Sequence, residues 1–314
     1  MQLRFESVAR LKDWRDDPDI LGVIAYGTPA GPTRAPWVSV PMASAPAGLC
    51  EVIRGRSARY GQQAGVRYAH DGEWLFAALT GPSDGRLQIS VAEAYERLLT
   101  VLDALGYPCL IRVWQHFPDI HGEEEGLERY RQFNLGRHQA LRPYLARGGA
   151  RPAATCVGSA RGDVVLYALA CVNPGTPVEN PRQISAYRYP ETYGPQAPDF
   201  ARAMKVSGAR GTLLWISGTA AIVGHESRGP DLAAQARETC ANLDAVVAEA
   251  GLAGTEIAAV KVYVRAGWPP PVLSPPWRDA PRLFVTGDIC RRELLVEVEA
   301  VVSAPEASAV RNAL

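Results

Sequence analysis

The 314-residue sequence is poor in lysine, in paired histidines, in net charge and in long apolar runs. Only Lys12, Lys205 and Lys261 are lysines, and the 33 basic side chains are matched by 33 acidic ones. Without a basic excess or a Lys/Arg block, the counterion-release term that drives nucleic-acid binding is missing, so no nucleic-acid partner is expected. The five histidines (His70, His116, His121, His138, His225) form no H-x-x-x-H or H-E-x-x-H spacing, and the six cysteines form no C-x-x-C. A metal site is therefore not expected, and the cysteines read as free thiols of a reducing compartment. No G-x-G-x-x-G follows a strand pattern, and neither a phosphate loop nor a G-x-S-x-G elbow occurs, so no nucleotide cofactor and no hydrolase-type serine are expected. The first residues, MQLRFESVARLKDW, mix charge with bulk rather than forming a leader's apolar region, and the longest apolar stretch, 211–224, is too short and broken to span a bilayer. The expectation is a cytoplasmic protein without a membrane partner.

What is present is a pattern that occurs twice. Val91, Tyr95, Leu98, Leu102 and Leu105 recur at helical spacing and stop at Gly106, and the β-branched and aromatic run CLIRVWQHF then predicts a buried strand ending at Pro118. A helix over 123–145 and strands over 153–158 and 163–171 follow. Further on come a helix over 231–250 closed by Gly251, the strand EIAAVKVYVR, a proline-rich loop over 267–281, and the pair PRLFVTGDIC and ELLVEVEAVV. ARPAATCVGSARGDVVLYALACV and APRLFVTGDICRRELLVEVEAVV share one turn-and-strand rhythm, which predicts an internal duplication of an α/β (α+β) unit, with mixed sheets and helices packed on one face. The unit limits are placed at 1–174 and 175–314, the first degenerate. Residues before about 67 are weakly patterned and carry no functional assignment.

Three features carry chemistry. The segment 180–205 interleaves Arg182, Arg188 and Arg202 with Tyr187, Tyr189 and Tyr193 and holds four prolines. Guanidinium forks and phenolic donors on a stiff loop suit a carboxylate ligand, although such a loop can also pack on itself. In ELLVEVEAVV, Glu293, Glu297 and Glu299 share one face by period two. That face is either solvated or, beside a pocket, a place where desolvation raises a carboxyl pKa and makes a general acid. Cys290, in GDIC, is a small polarizable side chain where the chain turns toward Glu297.

Taken together, ENPRQISAYRYPETYGPQAPDFARAMKV, FVTGDICRRELLVEVEAVV and the earlier LIRVWQHFPDI with ERYRQFNLGR resemble the chorismatase family, from about Cys109 onward. The resemblance implies a fold of two RidA/YjgF-like (chorismate-mutase-like) units with an active-site loop over 175–210, and cofactor-free removal of pyruvate from chorismate. It implies Glu297 as the acid that protonates the enolpyruvyl methylene carbon, and Arg188, Arg202, Tyr187 and Tyr193 as substrate-binding groups. Tyr130, Asn134 and Arg137, at i, i+4 and i+7 of one helix face, would close over the substrate from the first half. Cys290 matches members that form a hydroxybenzoate (3- or 4-), whereas Ala203 matches hydrolytic members that release a dihydroxycyclohexadiene carboxylate; the hydroxybenzoate is expected. An enamine/imine deaminase of the RidA-like kind and a non-catalytic metabolite-binding protein are the alternatives, the first opposed by the long Arg/Tyr/Pro loop and the second by the presence of Glu297. Monomer and homotrimer both remain open.

Overall fold

A computed structural model describes residues 1–305 apart from positions 30, 32 and 84. Two sheets repeat one connectivity. In the first, the hairpin strands Val66–His70 and Trp74–Gly81 lead into the helix Leu87–Leu105 and then the strand Cys109–Pro118. Ala153–Ser159 adds parallel to that strand, and Val164–Cys171 inserts antiparallel between Cys109–Pro118 and Trp74–Gly81. In the second, Ala203–Gly208 and Gly211–Ala220 lead through the helix Leu232–Glu249 to Glu256–Val264. Arg282–Thr286 then adds in parallel and Val296–Ala304 inserts antiparallel. The sheets have six and seven strands, extended at their edges by Arg59–Gln63, Thr176–Val178 and Ser44–Ala45. This is the duplicated α+β architecture expected from the repeated pattern.

Period-two alternation assigns the faces. Val296, Val298, Ala300 and Val302 pack toward the Leu232–Glu249 helix, so Glu297, Glu299 and Val301 point into the layer between the sheets. From the first sheet Trp114, Val165 and Tyr167 enter that layer, while Leu110, Val113 and Leu166 pack against the helices Leu87–Leu105 and Arg129–Ala146. Trp114 stacks on Tyr167 at 5.0 Å between ring centres and meets Trp215 edge-on at 6.0 Å. Each such pair contributes about 0.5–1.5 kcal/mol beyond area burial.

Two expectations need correction, and the weakly patterned start of the chain, for which none was stated, is structured. The residues before 67 build a further four-stranded sheet of Gln2–Ser7, Ile20–Tyr26, Trp37–Val40 and Leu49–Arg54, whose Leu3, Ile24, Val38 and Ile53 join the central core. The second helix starts at Arg129, not at 123, because Glu123–Glu124 and Leu127–Glu128 turn back as a two-stranded ribbon around Gly126 at φ +78°. Glu124 is thereby free to accept from the amide of Leu87, an unpaired donor of the preceding helix, at 2.7 Å, and to pair with the buried Arg129. The last strand begins at Val296. The backbone carbonyls of Arg291, Glu293 and Leu294 are taken by the side chains of Arg265 and Gln235, so Glu293 stays outside the strand and its carboxylate accepts from the Ser227 hydroxyl. No helix among the described residues is long and apolar enough to cross a membrane.

Because Glu124 serves both a helix N-terminus and a buried guanidinium, Glu124→Ala is expected to cost about 2–3 kcal/mol of stability, read as a lower urea midpoint at unchanged slope.

Candidate active site

A cavity of about 410 Å³ opens where the edge strand Ala153–Ser159 of the first sheet meets Gly211–Ala220 of the second. Its size lies within the range of small-molecule sites. The seam is closed by Ser217, whose hydroxyl donates to the carbonyl of Ala201 at 2.6 Å and accepts from the amide of Ala154 at 2.9 Å. Ser217 and Gly218 lie in a register shift of the Gly211–Ala220 strand, between the pairs Ile216–Ala300 and Thr219–Val298, while Glu297 pairs with Ala220. A Cβ at Gly218 would overlap Glu297 Oε1, so the carboxyl occupies its place only because this residue is glycine.

Glu297 lines the cavity yet is only 4% exposed. Among the described residues none hydrogen-bonds or ion-pairs with its carboxyl. Burial raises its pKa to about 8 and the charge of Glu299 adds to this, while Arg112 and Arg202 pull the other way. A carboxyl that stays protonated at neutral pH, faces a cavity and lacks a counter-ion is a proton donor in waiting. Cys290 also lines the cavity, and burial pushes its thiol up to about 12, helped by Glu297. It is a neutral wall group, not a thiolate nucleophile.

The cavity lining is also rich in arginine, with Arg131, Arg137, Arg202, Arg291 and Arg292 beside the carboxylates Glu128 and Glu293. Arg137 and Arg202, 1% and 4% exposed, have no carboxylate within ion-pair distance among the described residues, and each leaves its Nε without a partner. Neutral groups hold them instead. Arg137 donates to Asn134 Oδ1 at 2.8 Å and lies over the Phe133 ring; Arg202 donates to the carbonyl of Ile184 at 2.9 Å and to the Tyr189 hydroxyl at 2.7 Å. Arg291 is layered on Tyr193, with its guanidinium carbon 4.0 Å from the ring centre, and donates to the carbonyl of His225. Buried cations without anions carry a desolvation penalty that an anionic ligand relieves. Two such cations plus Arg291 and Arg292 give the cavity a lining whose chemistry suits a small molecule with more than one carboxylate. No group of three or more His, Cys, Asp or Glu among the described residues is placed to hold a metal ion.

A family model described as "Chorismatase FkbO/Hyg5-like, N-terminal" matches residues 51–170. A 3-hydroxybenzoate synthase of Streptomyces hygroscopicus is 35% identical over 311 residues, covering 90% of this chain and 92% of its own. A chorismatase of Streptomyces rapamycinicus is 34% identical, over 77% and 78% of the two chains. The chain belongs to the chorismatase family. A chorismatase crystal structure superposes with a TM-score of 0.83 at 30% identity, covering 96% of this chain and 97% of the other.

Of the residues singled out in this chorismatase-family sequence, Glu297, Glu293, Cys290, Arg202, Tyr189, Tyr193, Tyr130 and Arg137 line the cavity, whereas Tyr187, Arg188, Ala203, Arg182, Asn134 and Glu299 do not. Tyr187 is covered by the Arg151 guanidinium, 4.2 Å from its ring centre, and Arg188 projects outward as an exposed side chain beside it. Ala203 follows Arg202 in an extended segment, so it points the opposite way, into the apolar layer under the Leu232–Glu249 helix. Arg182 also turns away, pairing with Glu238 and Asn242 to pin the loop to that helix. The residues that sequence reasoning passed over are Arg291 and Arg292, Phe200, the strand residues Ala154 and Cys156, and Gly218. The double arginine after GDIC and a glycine inside a strand were visible signals; Ala154 and Cys156 carried none.

Arg202→Gln is expected to weaken binding of isophthalate, a rigid aromatic dianion, by about 30-fold or more in calorimetry, because a buried charge pair is lost. Arg188→Gln should change it by less than about twofold, as expected for an exposed charge outside the cavity.

Proposed function

We propose that this protein converts chorismate, without a cofactor, into pyruvate and 3-hydroxybenzoate. The observation that carries the reading is the pairing, in one cavity, of a buried uncharged Glu297 with buried arginines that have no counter-ions. Chorismate presents a carboxylate on its ring and another on its enolpyruvyl ether, and Arg137, Arg202 and Arg291 supply more cationic groups than these two anions need. Glu297 then delivers its proton to the terminal methylene carbon of the enol ether, leaving an oxocarbenium ion whose positive charge the Glu297 carboxylate stabilises. The C4 hydroxyl of the ring attacks that carbon and passes its proton to the C3 oxygen as the bond between that oxygen and the carbon breaks. The C4–oxygen bond then breaks, pyruvate leaves with that oxygen as its ketone, and loss of the C3 hydrogen aromatises the ring to 3-hydroxybenzoate. The ring hydrogen released in aromatisation returns to Glu297. The two products contain together all the atoms of chorismate, so neither water nor an oxidant is consumed. A positioned acid accounts for about 10²–10⁴ of the rate, and the rest is assigned to preorganised charge and exclusion of water.

Product choice is supported by two observations. The 35%-identical relative is named for 3-hydroxybenzoate. Cys290 stands on the cavity wall beside Glu297, whereas Ala203, the residue that matched hydrolytic members, has no exposed surface and faces the helix layer. Tyr130 lines the same cavity from the Arg129–Ala146 helix, its hydroxyl within hydrogen-bonding reach of the Cys290 thiol.

Glu297→Gln should lower pyruvate release, coupled to lactate dehydrogenase, by at least about 10³-fold while chorismate affinity changes less than tenfold. Equal loss of both would make Glu297 a structural residue. The active form is the protonated one, so kcat/KM should be level below pH 7 and fall about tenfold per pH unit above about 8. Chromatography of the products decides the regiochemistry, and oxygen from labelled water in the pyruvate ketone, corrected for the ketone's own exchange, would identify hydrolysis instead.

A further inference from the structure

We infer that Glu299 is a positioning residue for the reaction: by occupying Arg112 it prevents that arginine from becoming the counter-ion of Glu297, and so keeps the acid protonated. The inference rests on Glu297 being the proton donor and adds how the fold keeps it so.

Glu299 and Glu297 are two residues apart on one strand and face the same layer, 5% and 4% exposed. Their surroundings are opposite. Glu299 accepts from Arg112 Nη2 at 2.9 Å, from Trp114 Nε1 at 2.7 Å and from Thr155 Oγ1 at 2.6 Å, and Lys261 Nζ lies 2.8 Å away. Lys261 in turn pairs with Glu51 at 2.7 Å and donates to Tyr26, both contributed by the N-terminal sheet. Two cations and two anions are thus matched inside the protein before Glu297 is counted. Burial alone would push the Glu299 carboxyl up, yet Lys261 and then Arg112 hold it well below the usual carboxylate range.

Arg112 connects the two carboxyls. The nitrogen that donates to Glu299 also donates to Thr155 Oγ1, and the amide of Gly218, the residue against which Glu297 lies, donates to that same hydroxyl at 3.0 Å. The other charged and titratable groups facing Glu297 are Arg202 from the tyrosine-rich loop, Cys156 from the Ala153–Ser159 strand, Tyr263 and Lys261 from the Glu256–Val264 strand, Tyr130 and Arg137 from the helix Arg129–Ala146, and Cys290, Arg291, Arg292 and Glu293 from the segment before the last strand. Of the cations, Arg112 and Lys261 are both buried and already paired with anions, but Lys261 has Glu51 as a second partner, whereas the ion pair of Arg112 among the described residues is with Glu299. If Glu299 loses its charge, Glu297 is the remaining carboxyl on that side and ionises against Arg112.

The test follows the acid directly as well as through activity. In the full-length protein, the Glu297 carboxylic-acid carbonyl stretch is followed by infrared difference spectroscopy against pH, with Glu297→Gln identifying the band. The pH dependence of kcat/KM for pyruvate release is measured alongside. Glu299→Gln is expected to move both half-titration points down by about two pH units, a roughly 100-fold change in proton activity. At pH 7.5 activity should fall by about tenfold or more while recovering on acidification. Glu299→Gln/Arg112→Gln removes one charge of each sign, leaves the Lys261–Glu51 pair intact, and is expected to return the titration to within about half a unit of the parent. That double variant also decides the matter if the single one fails to fold. Its titrating two units low would overturn the inference by showing a structural effect, as would a Glu299→Gln protein that titrates like the parent. A carbonyl band that shifts as expected in a protein releasing no pyruvate would instead overturn the chorismate reading and leave this one standing.

Discussion

The layer between the two sheets holds Arg112 and Lys261 against Glu299 and Glu51, and its charge is balanced only while Glu297 carries none. In a region of low effective dielectric a fifth, unmatched charge is expensive, and a carboxyl escapes that cost by keeping its proton. The acid therefore owes its protonation to the way cations are distributed around it as much as to its own burial. The second carboxyl of the strand takes the ion pairs, and the first takes the cavity.

The cavity wall is arranged by the opposite rule. Arg137, Arg202 and Arg291 are held by a side-chain amide, by backbone carbonyls, by a tyrosine hydroxyl and by aromatic rings, none of which cancels their charge. A dianion entering there displaces no internal carboxylate, so the gain from its two charges is not spent on breaking existing pairs. Keeping these arginines on the ligand also keeps them from depressing Glu297, which is the conflict that any acid beside a cationic pocket has to resolve.

The repeated topology explains where the site sits and why only one half supplies the acid. In Val296–Ala304 the second and fourth residues, Glu297 and Glu299, face the shared layer; in the corresponding strand Val164–Cys171 those places are Val165 and Tyr167. The first half contributes walls instead, through Tyr130 and Arg137 on its helix and Ala154 and Cys156 on its edge strand. The four-stranded N-terminal sheet contributes Glu51 and Tyr26, and with them the far end of the buried charge network.

Alternating and helical periodicities were enough to read the two strand–helix–strand halves, the αL stop at Gly106, and the alternation that puts Glu297 and Glu299 together on one face. Those are local properties, set by residue spacing over a few turns or a few pleats. The sequence could not tell whether that face met water or a second sheet, because the partner lies more than a hundred residues away at Arg112, Trp114 and Thr155. For the same reason it could not separate Arg202 from Arg188, both in one tyrosine-containing loop, nor see that Ala203 would turn its side chain from the cavity the moment Arg202 entered it. Charge neutralisation, burial and direction all depend on which distant surfaces meet, and tertiary packing alone decided them.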